Sequence, residues 1–214
     1  MKNAFLSGEK IYLRPLEYAD APTLVGWMND PDVTRTLQVF RPLNEQAERD
    51  YIDRVSKDTN QVGFAIVSRR DDQFIGTAGL MGIDWRDRHA AFGISIGDKT
   101  KWGLGYGTEA TALLTEFAFE TLNLHRVWLH VYDFNTGGLR AYERAGYRRE
   151  GVLREAAFRE GRYHDIIVMA VLRDEWRAAR PKPARAAAES TDGRPARAHR
   201  GTRAPSRRAG SRSR

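Results

Sequence analysis

Gly97-Asp98-Lys99-Thr100-Lys101-Trp102-Gly103-Leu104-Gly105-Tyr106-Gly107-Thr108-Glu109-Ala110 follows a strand-like run, Ala90–Ile96, and leads into a helical one. Glycine carries no Cβ, so glycines at alternate positions let backbone N–H groups converge without obstruction. The N-terminus of the helix that follows adds unpaired donors and partial positive charge. Together these features suit a diphosphate. The turn is not a Walker loop, because Gly107-Thr108-Glu109 places no lysine before the threonine. Its Gly-x-Gly-x-Gly spacing also departs from the dinucleotide fingerprint. A tight strand-to-helix turn that needs glycine for geometry alone is the plainer alternative.

Downstream, Arg126–Tyr132 is β-branched and aromatic and reads as a strand. Asn135–Ala145 reads as a short helix ended by Gly146, with Asn135 as its cap. Tyr142 lies seven residues after Asn135, about two helical turns, so both can share one face. Its hydroxyl can donate a proton; a packing role with the hydroxyl at the surface is the alternative. Tyr147–Leu153 and Tyr163–Leu172 close the region as strands. Upstream, Glu9–Leu16 alternates as a strand and Asp20 is placed to cap a helix with Pro22 in its first turn. Asn44 is placed to cap a second helix that turns Ala47, Tyr51 and Val55 inward. Val62–Ser68 and Phe74–Ile83 form a strand pair across Asp71-Asp72, and Thr108–Leu122 is the strongest helical stretch. No internal repeat is visible.

The net charge of +7 over 214 residues is an average of two unlike parts. Residues 177–214 hold 12 Lys/Arg and 2 Asp/Glu, whereas residues 1–176 hold 23 and 26. A body of net −3 carries a tail of net +10. After Trp176 alanine is the only apolar side chain, prolines aside. Such a segment cannot bury enough apolar surface to offset its conformational entropy. The domain reading is therefore a folded body, 1–176, and a basic disordered tail, 177–214. The tail allows weak contact with nucleic acid or a ribosome by charge, without aromatic residues on which bases could stack. The absence of cysteine excludes disulfides, a thiolate nucleophile and thiolate metal sites. It suits a reducing cytoplasm. No apolar run approaches a membrane span, and the first ten residues lack a signal-peptide layout.

The two elements, in this order and separated by one strand, resemble motifs A and B of the GNAT superfamily of acyl-CoA N-acyltransferases. Trp102-Gly-Leu-Gly105-Tyr-Gly107 fits the family loop, with Trp102 in place of its Gln or Arg. Asn135 to Tyr147 is similar to the family's Asn-to-Tyr signature, although Gly137-Gly138 replaces the usual helix formers. Tyr12-Leu-Arg-Pro-Leu16, Trp27-Met-Asn-Asp-Pro-Asp-Val33, Glu150–Arg154 and Tyr163-His-Asp165 resemble the subgroup of ribosomal-protein N-terminal acetyltransferases and spermidine acetyltransferase. The resemblance covers roughly residues 8–173.

It implies an α/β fold of the α+β type: a mixed, twisted sheet of about seven strands with helices on both faces. The parallel central strands Ala90–Ile96 and Arg126–Tyr132 would splay apart. Acetyl-CoA would be the cosubstrate, with no metal. Its pantetheine would run along Gly93, Ile94, Ser95 and Ile96. Its pyrophosphate would sit on Trp102, Gly103, Leu104, Gly105, Tyr106 and Gly107, at the start of the helix that continues through Thr108. Asn135 would line the far side of the pantetheine arm. Tyr142 would protonate the departing thiolate. His130, on the strand before Asn135, would take the amine proton; an imidazole has an ordinary pKa of about 6.5. Glu17 and Asp84 are further proton acceptors to weigh.

The acceptor expected is a primary amine, either a protein N-terminus or a small amine such as a polyamine, an aminoglycoside or an amino acid. Direct transfer needs no covalent nucleophile. A homodimer is compatible with these readings. Two rival readings remain open. One is a basic-tailed ribosome- or RNA-associated binding protein. The other is a non-catalytic regulator that binds acetyl-CoA.

Overall fold

The computed structural model describes residues 3–180. One sheet holds eight strands: β1 (Leu6–Ser7), β2 (Ile11–Pro15), β3 (Val62–Ser68), β4 (Phe74–Asp84), β5 (His89–Ile96), β6 (Arg126–Tyr132), β7 (Arg148–Arg159) and β8 (Arg162–Leu172). Their spatial order is β1-β2-β3-β4-β5-β6-β8-β7. Every neighbouring pair is antiparallel except β5 and β6. The expected mixed sheet is present. The strand beyond the expected seven is Leu6–Ser7, whose two residues are too few to show an alternation.

Alternation along β3 divides the molecule into layers. Phe64 and Ile66 join the main core with Ala110, Leu114 and Phe117. These come from α4 (Tyr106–Glu116) and the π-helical turn that extends it, Phe117–Thr121. On the opposite face a Cβ at Gly63 would meet Val55 of α3 (Glu45–Lys57). There Ala21 and Leu24 of α1 (Ala21–Met28) pack with Ile52 of α3. A short helix, α2 (Pro31–Thr34), follows α1. Burial of each large apolar side chain is worth about 1.5–3 kcal/mol. The twelve largest fully buried side chains are mostly strand residues, covered by the helices that pack on the sheet.

Asn44 caps α3 as expected, its Oδ1 accepting from Ala47 N at 2.9 Å. Asp20 does not cap α1. Its carboxylate is taken by Arg14, at 2.7 and 2.8 Å, and by Glu17 N at 2.9 Å. A buried carboxylate gains more from a bidentate guanidinium than from one amide N–H.

The boundary placed after Trp176 falls inside α6 (Arg173–Ala179). Trp176 packs on Phe119, Arg177 pairs with Glu120 at 3.0 Å, and Arg180 pairs with Glu116 at 2.9 Å while covering the Trp176 ring. The reading of the tail otherwise lies outside the described residues. A chain ended after Trp176 is expected to melt a few degrees below one ended after Arg180. Exposed ion pairs are each worth about 0–1 kcal/mol, and the truncation also shortens the helix. Parallel thermal melts check this; identical midpoints would show that the last turn of α6 contributes nothing.

Candidate active site

The parallel ladder between β5 and β6 is short. It pairs His89 with Arg126, Ala90 with Val127 and Ala91 with Trp128, and then stops. Both strands continue, β5 to Ile96 and β6 to Tyr132, while β4 stays paired to β5 as far as Ile96. From Phe92 onward β5 therefore has one satisfied edge and one open edge. The gap is a cleft of about 690 Å³, lined by Ala91–Ser95, Trp128–Val131, Asn135 and Tyr142. A second hollow, about 840 Å³, lies at the β7 bulge against Val152–Glu155 and Asp165. Five residues line it, and none belongs to the glycine turn or to the helix of Tyr142. The chemistry-bearing groups thus converge on the smaller space.

Beyond Ile96 the chain makes one 3₁₀ turn, Lys99–Lys101, and enters the glycine stretch. Trp102 replaces a polar side chain of the family pattern, but its indole Nε1 donates to the carbonyl of Ile96 at 2.7 Å. It ties the turn to the end of β5. Gly103 and Gly105 have φ of 75° and 87°, a region costly for any residue with a Cβ. Gly105 is the N-cap of α4, which starts at Tyr106, two residues before the expected Thr108. The first backbone bond into this helix runs from Glu109 N to Gly105 O at 3.1 Å. The N–H groups of Tyr106, Gly107 and Thr108 remain as the unpaired first turn. The Lys10 Nζ, 3.1 Å from the carbonyl of Leu104, adds a positive charge beside the turn.

α5 (Thr136–Arg144) opens at Asn135, whose Oδ1 accepts from Gly138 N at 2.9 Å. A Cβ at Gly138 would stand 2.8 Å from Asn135 Nδ2 and 3.0 Å from its Oδ1. Glycine here lets the capping side chain fold back over the first turn. Nothing in the structure explains Gly137. Tyr142 points from α5 into the cleft, 8 % exposed, with its ring edge-on to Phe92 at 6.1 Å. The neighbouring Tyr147 hydroxyl is engaged by Thr115 Oγ1 at 3.0 Å. Burial pushes the Tyr142 phenol up to about 12. At neutral pH it stays protonated, which is the state a proton donor needs.

His130 lines the same cleft from β6 and is exposed, its ring against Trp128 at 5.1 Å between centroids. Glu17 and Asp84 lie elsewhere. Glu17 accepts from Asn3 at 3.1 Å. Asp84 closes a turn by accepting from Arg86 N and Asp87 N at 2.9 and 2.7 Å. The structure thus gathers His130, Asn135, Tyr142 and Gly93–Ser95 around one space and leaves those two carboxylates out.

The opposite wall of the cleft comes from α3 and was not read as functional from sequence. Ala47, Glu48, Tyr51, Arg54 and Val55 face it. Glu48 is 5 % exposed, and burial holds its carboxyl above the usual carboxylate range, with Arg54 partly opposing the shift. The Nε2 of Gln61, also on this wall, is buried without a partner among the described residues. A signal was present in the sequence: a carboxylate beside the Ala47, Tyr51, Val55 stripe of an inward-turned helix.

An open β5 edge, a glycine turn at a helix N-terminus and a buried tyrosine on the next helix are the features that the sequence resemblance leads one to expect. The chain belongs to the GNAT acetyltransferase family, whose domain model, "Acetyltransferase (GNAT) domain", matches residues 10–148. It is similar to "Probable N-acetyltransferase YjcK" of Bacillus subtilis, 33% identical over 178 residues that cover 79% of this chain and 98% of the relative. It is 26% identical over 182 residues to spermidine N(1)-acetyltransferase of Escherichia coli K12, covering 83% and 94%. Among solved structures it is similar to spermidine N-acetyltransferase of Vibrio cholerae in complex with CoA and spermine. That match has a TM-score of 0.73, 25% identity, and coverage of 79% of this chain and 99% of the other. The chain is an acetyl-CoA-dependent N-acetyltransferase. Among the described residues no helix is long and apolar enough to cross a membrane.

Proposed function

We propose that this protein transfers acetyl groups to small aliphatic amines, with the cosubstrate threaded through the splay between β5 and β6. The observation that carries the reading is the end of the β5–β6 ladder at Ala91 and Trp128, directly beside Tyr142. An extended pantetheine arm can take the place of the missing strand along Gly93–Ile96, as an added strand does at any open sheet edge. The pyrophosphate then meets the N–H groups of Gly103 to Thr108, and Asn135 borders the arm. The amine nitrogen attacks the thioester carbonyl, the C–S bond breaks, and Tyr142 gives its proton to the departing thiolate. His130 takes the proton that the amine must lose.

A small amine is favoured over a protein N-terminus by the acceptor side of the cleft, which α1 and α3 cover. Leu24 and Met28 of α1 and Ala47 and Val55 of α3 give that side of the half-open cleft apolar surface that suits a chain of methylenes. The spermidine acetyltransferases among the relatives support the same reading. The test is thiol release from acetyl-CoA across polyamines, aminoglycosides, amino acids and peptide α-amines, corrected for hydrolysis. Turnover of aliphatic amines above peptides is expected; peptide turnover alone would redirect the assignment.

His130→Ala is expected to lower kcat/KM while leaving acetyl-CoA affinity in place. General acid–base groups are worth about 10²–10⁴-fold, and partial rescue by water brings this exposed imidazole to the low end. An unchanged kcat/KM would leave a water chain as the base.

A further inference from the structure

Among the described residues that line the active-site cleft, Glu48 is the sole carboxylate. It is 5 % exposed, and among the described residues it forms no ion pair with Lys, Arg or His. The other acids of α3 are engaged elsewhere. Glu45 pairs with Arg49 at 2.7 Å, Asp50 accepts from Gln46 at 2.7 Å, and Asp53 binds the Tyr18 hydroxyl and Lys57. The charged and titratable groups that face the cleft with Glu48 are Tyr51 and Arg54 from α3, His130 from β6 and Tyr142 from α5. Arg54 is exposed and lies over the Tyr51 ring at 5.5 Å, and its charge opposes the effect of burial on Glu48 only in part. Burying a carboxylate without a partner is costly, and a bound ammonium group would supply one. Leu24, Met28, Leu37, Val39 and Val55 supply apolar wall beside it, with Thr36, Gln38 and Gln61 as polar groups in the same lining.

We propose that Glu48 is the specificity-determining carboxylate of the acceptor site, holding one ammonium group of a di- or polycationic aliphatic amine whose other end is acetylated. The ligand class follows from the pairing of one buried anion with methylene-compatible walls. A monoamine would fill the apolar space but leave Glu48 unpaired. A diamine places its second charge on Glu48 and its free amine towards Tyr142 and the end of β5. This deepens the small-amine reading and rests on it.

The test compares kcat/KM for an aliphatic diamine with that for the monoamine of equal chain length. In Glu48→Gln, which keeps the shape and removes the charge, the diamine-to-monoamine ratio should fall about ten- to a hundredfold, the range of one charge-assisted hydrogen bond. Glu48→Asp should recover part of the ratio. Glu48→Gln should also raise the melting temperature at pH 7. The native carboxyl titrates above its unfolded value, so burial costs stability once the pH exceeds the native pKa and costs none below the unfolded one. The gain should vanish as the pH falls into the ordinary carboxylate range. An unchanged ratio, an equal fall for both amines, or a lowered melting temperature would overturn the role of Glu48. Wild-type protein that acetylates no amine at all would instead overturn the small-amine reading.

Discussion

Tyr142→Phe is expected to lower kcat about a hundredfold with the fold and acetyl-CoA affinity intact. The substitution removes one hydroxyl that makes no hydrogen bond among the described residues, and it leaves the edge-on contact with Phe92 in place. General acid catalysis contributes about 10²–10⁴-fold. A thiolate is only moderately basic, and water can reach the cleft, so the low end is the expectation. With its pKa raised to about 12, the phenol remains a donor throughout the neutral range. The wild-type kcat should therefore show no basic limb from Tyr142 below about pH 10. Single-turnover kinetics isolate the chemical step. A Tyr142→Phe rate close to wild type in that measurement removes the tyrosine from the mechanism.

Gly107→Val is expected to weaken acetyl-CoA binding by a hundredfold or more. Gly105 is the less informative position, because its φ of 87° strains any side chain before a ligand arrives. Gly107 has no such φ, and the nearest atom to an added Cβ is Ile96 Cγ1 at 3.9 Å, an ordinary contact. An added Cβ there fits the protein itself and obstructs a group that approaches the backbone closely. Hydrogen bonds to a charged acceptor are worth about 1.5–3 kcal/mol each, so losing two gives the stated factor. Calorimetry with a melting curve separates the effects: unchanged affinity in folded Gly107→Val would place the diphosphate elsewhere.

Much of the sheet and both glycine-marked turns were legible because their signals are local. The alternation of Val62–Ser68, the Gly-x-Gly-x-Gly run and the Asn135 cap each depend on neighbouring residues alone. What was not legible depended on distant partners. Asp20 has the chemistry of a cap, but Arg14 claims it. β7 runs on from the expected Leu153 to Arg159 through a bulge that only its pairing with β8 reveals. Gly138 is explained only by how far Asn135 folds back. Glu48 is an ordinary helix residue until α3 is laid against the mouth of the splay. The cleft residues that carry a family pattern were singled out from that pattern, whereas the α3 wall, which carries none, emerged from the packing.

Amide hydrogen exchange with and without acetyl-CoA reads the backbone that the cosubstrate would complete. Slowed exchange is expected in two segments, Phe92–Ile96 along the open edge of β5 and Gly103–Thr108 at the start of α4. Protection confined to other segments, with these two unchanged at saturating acetyl-CoA, would contradict this placement of the cosubstrate.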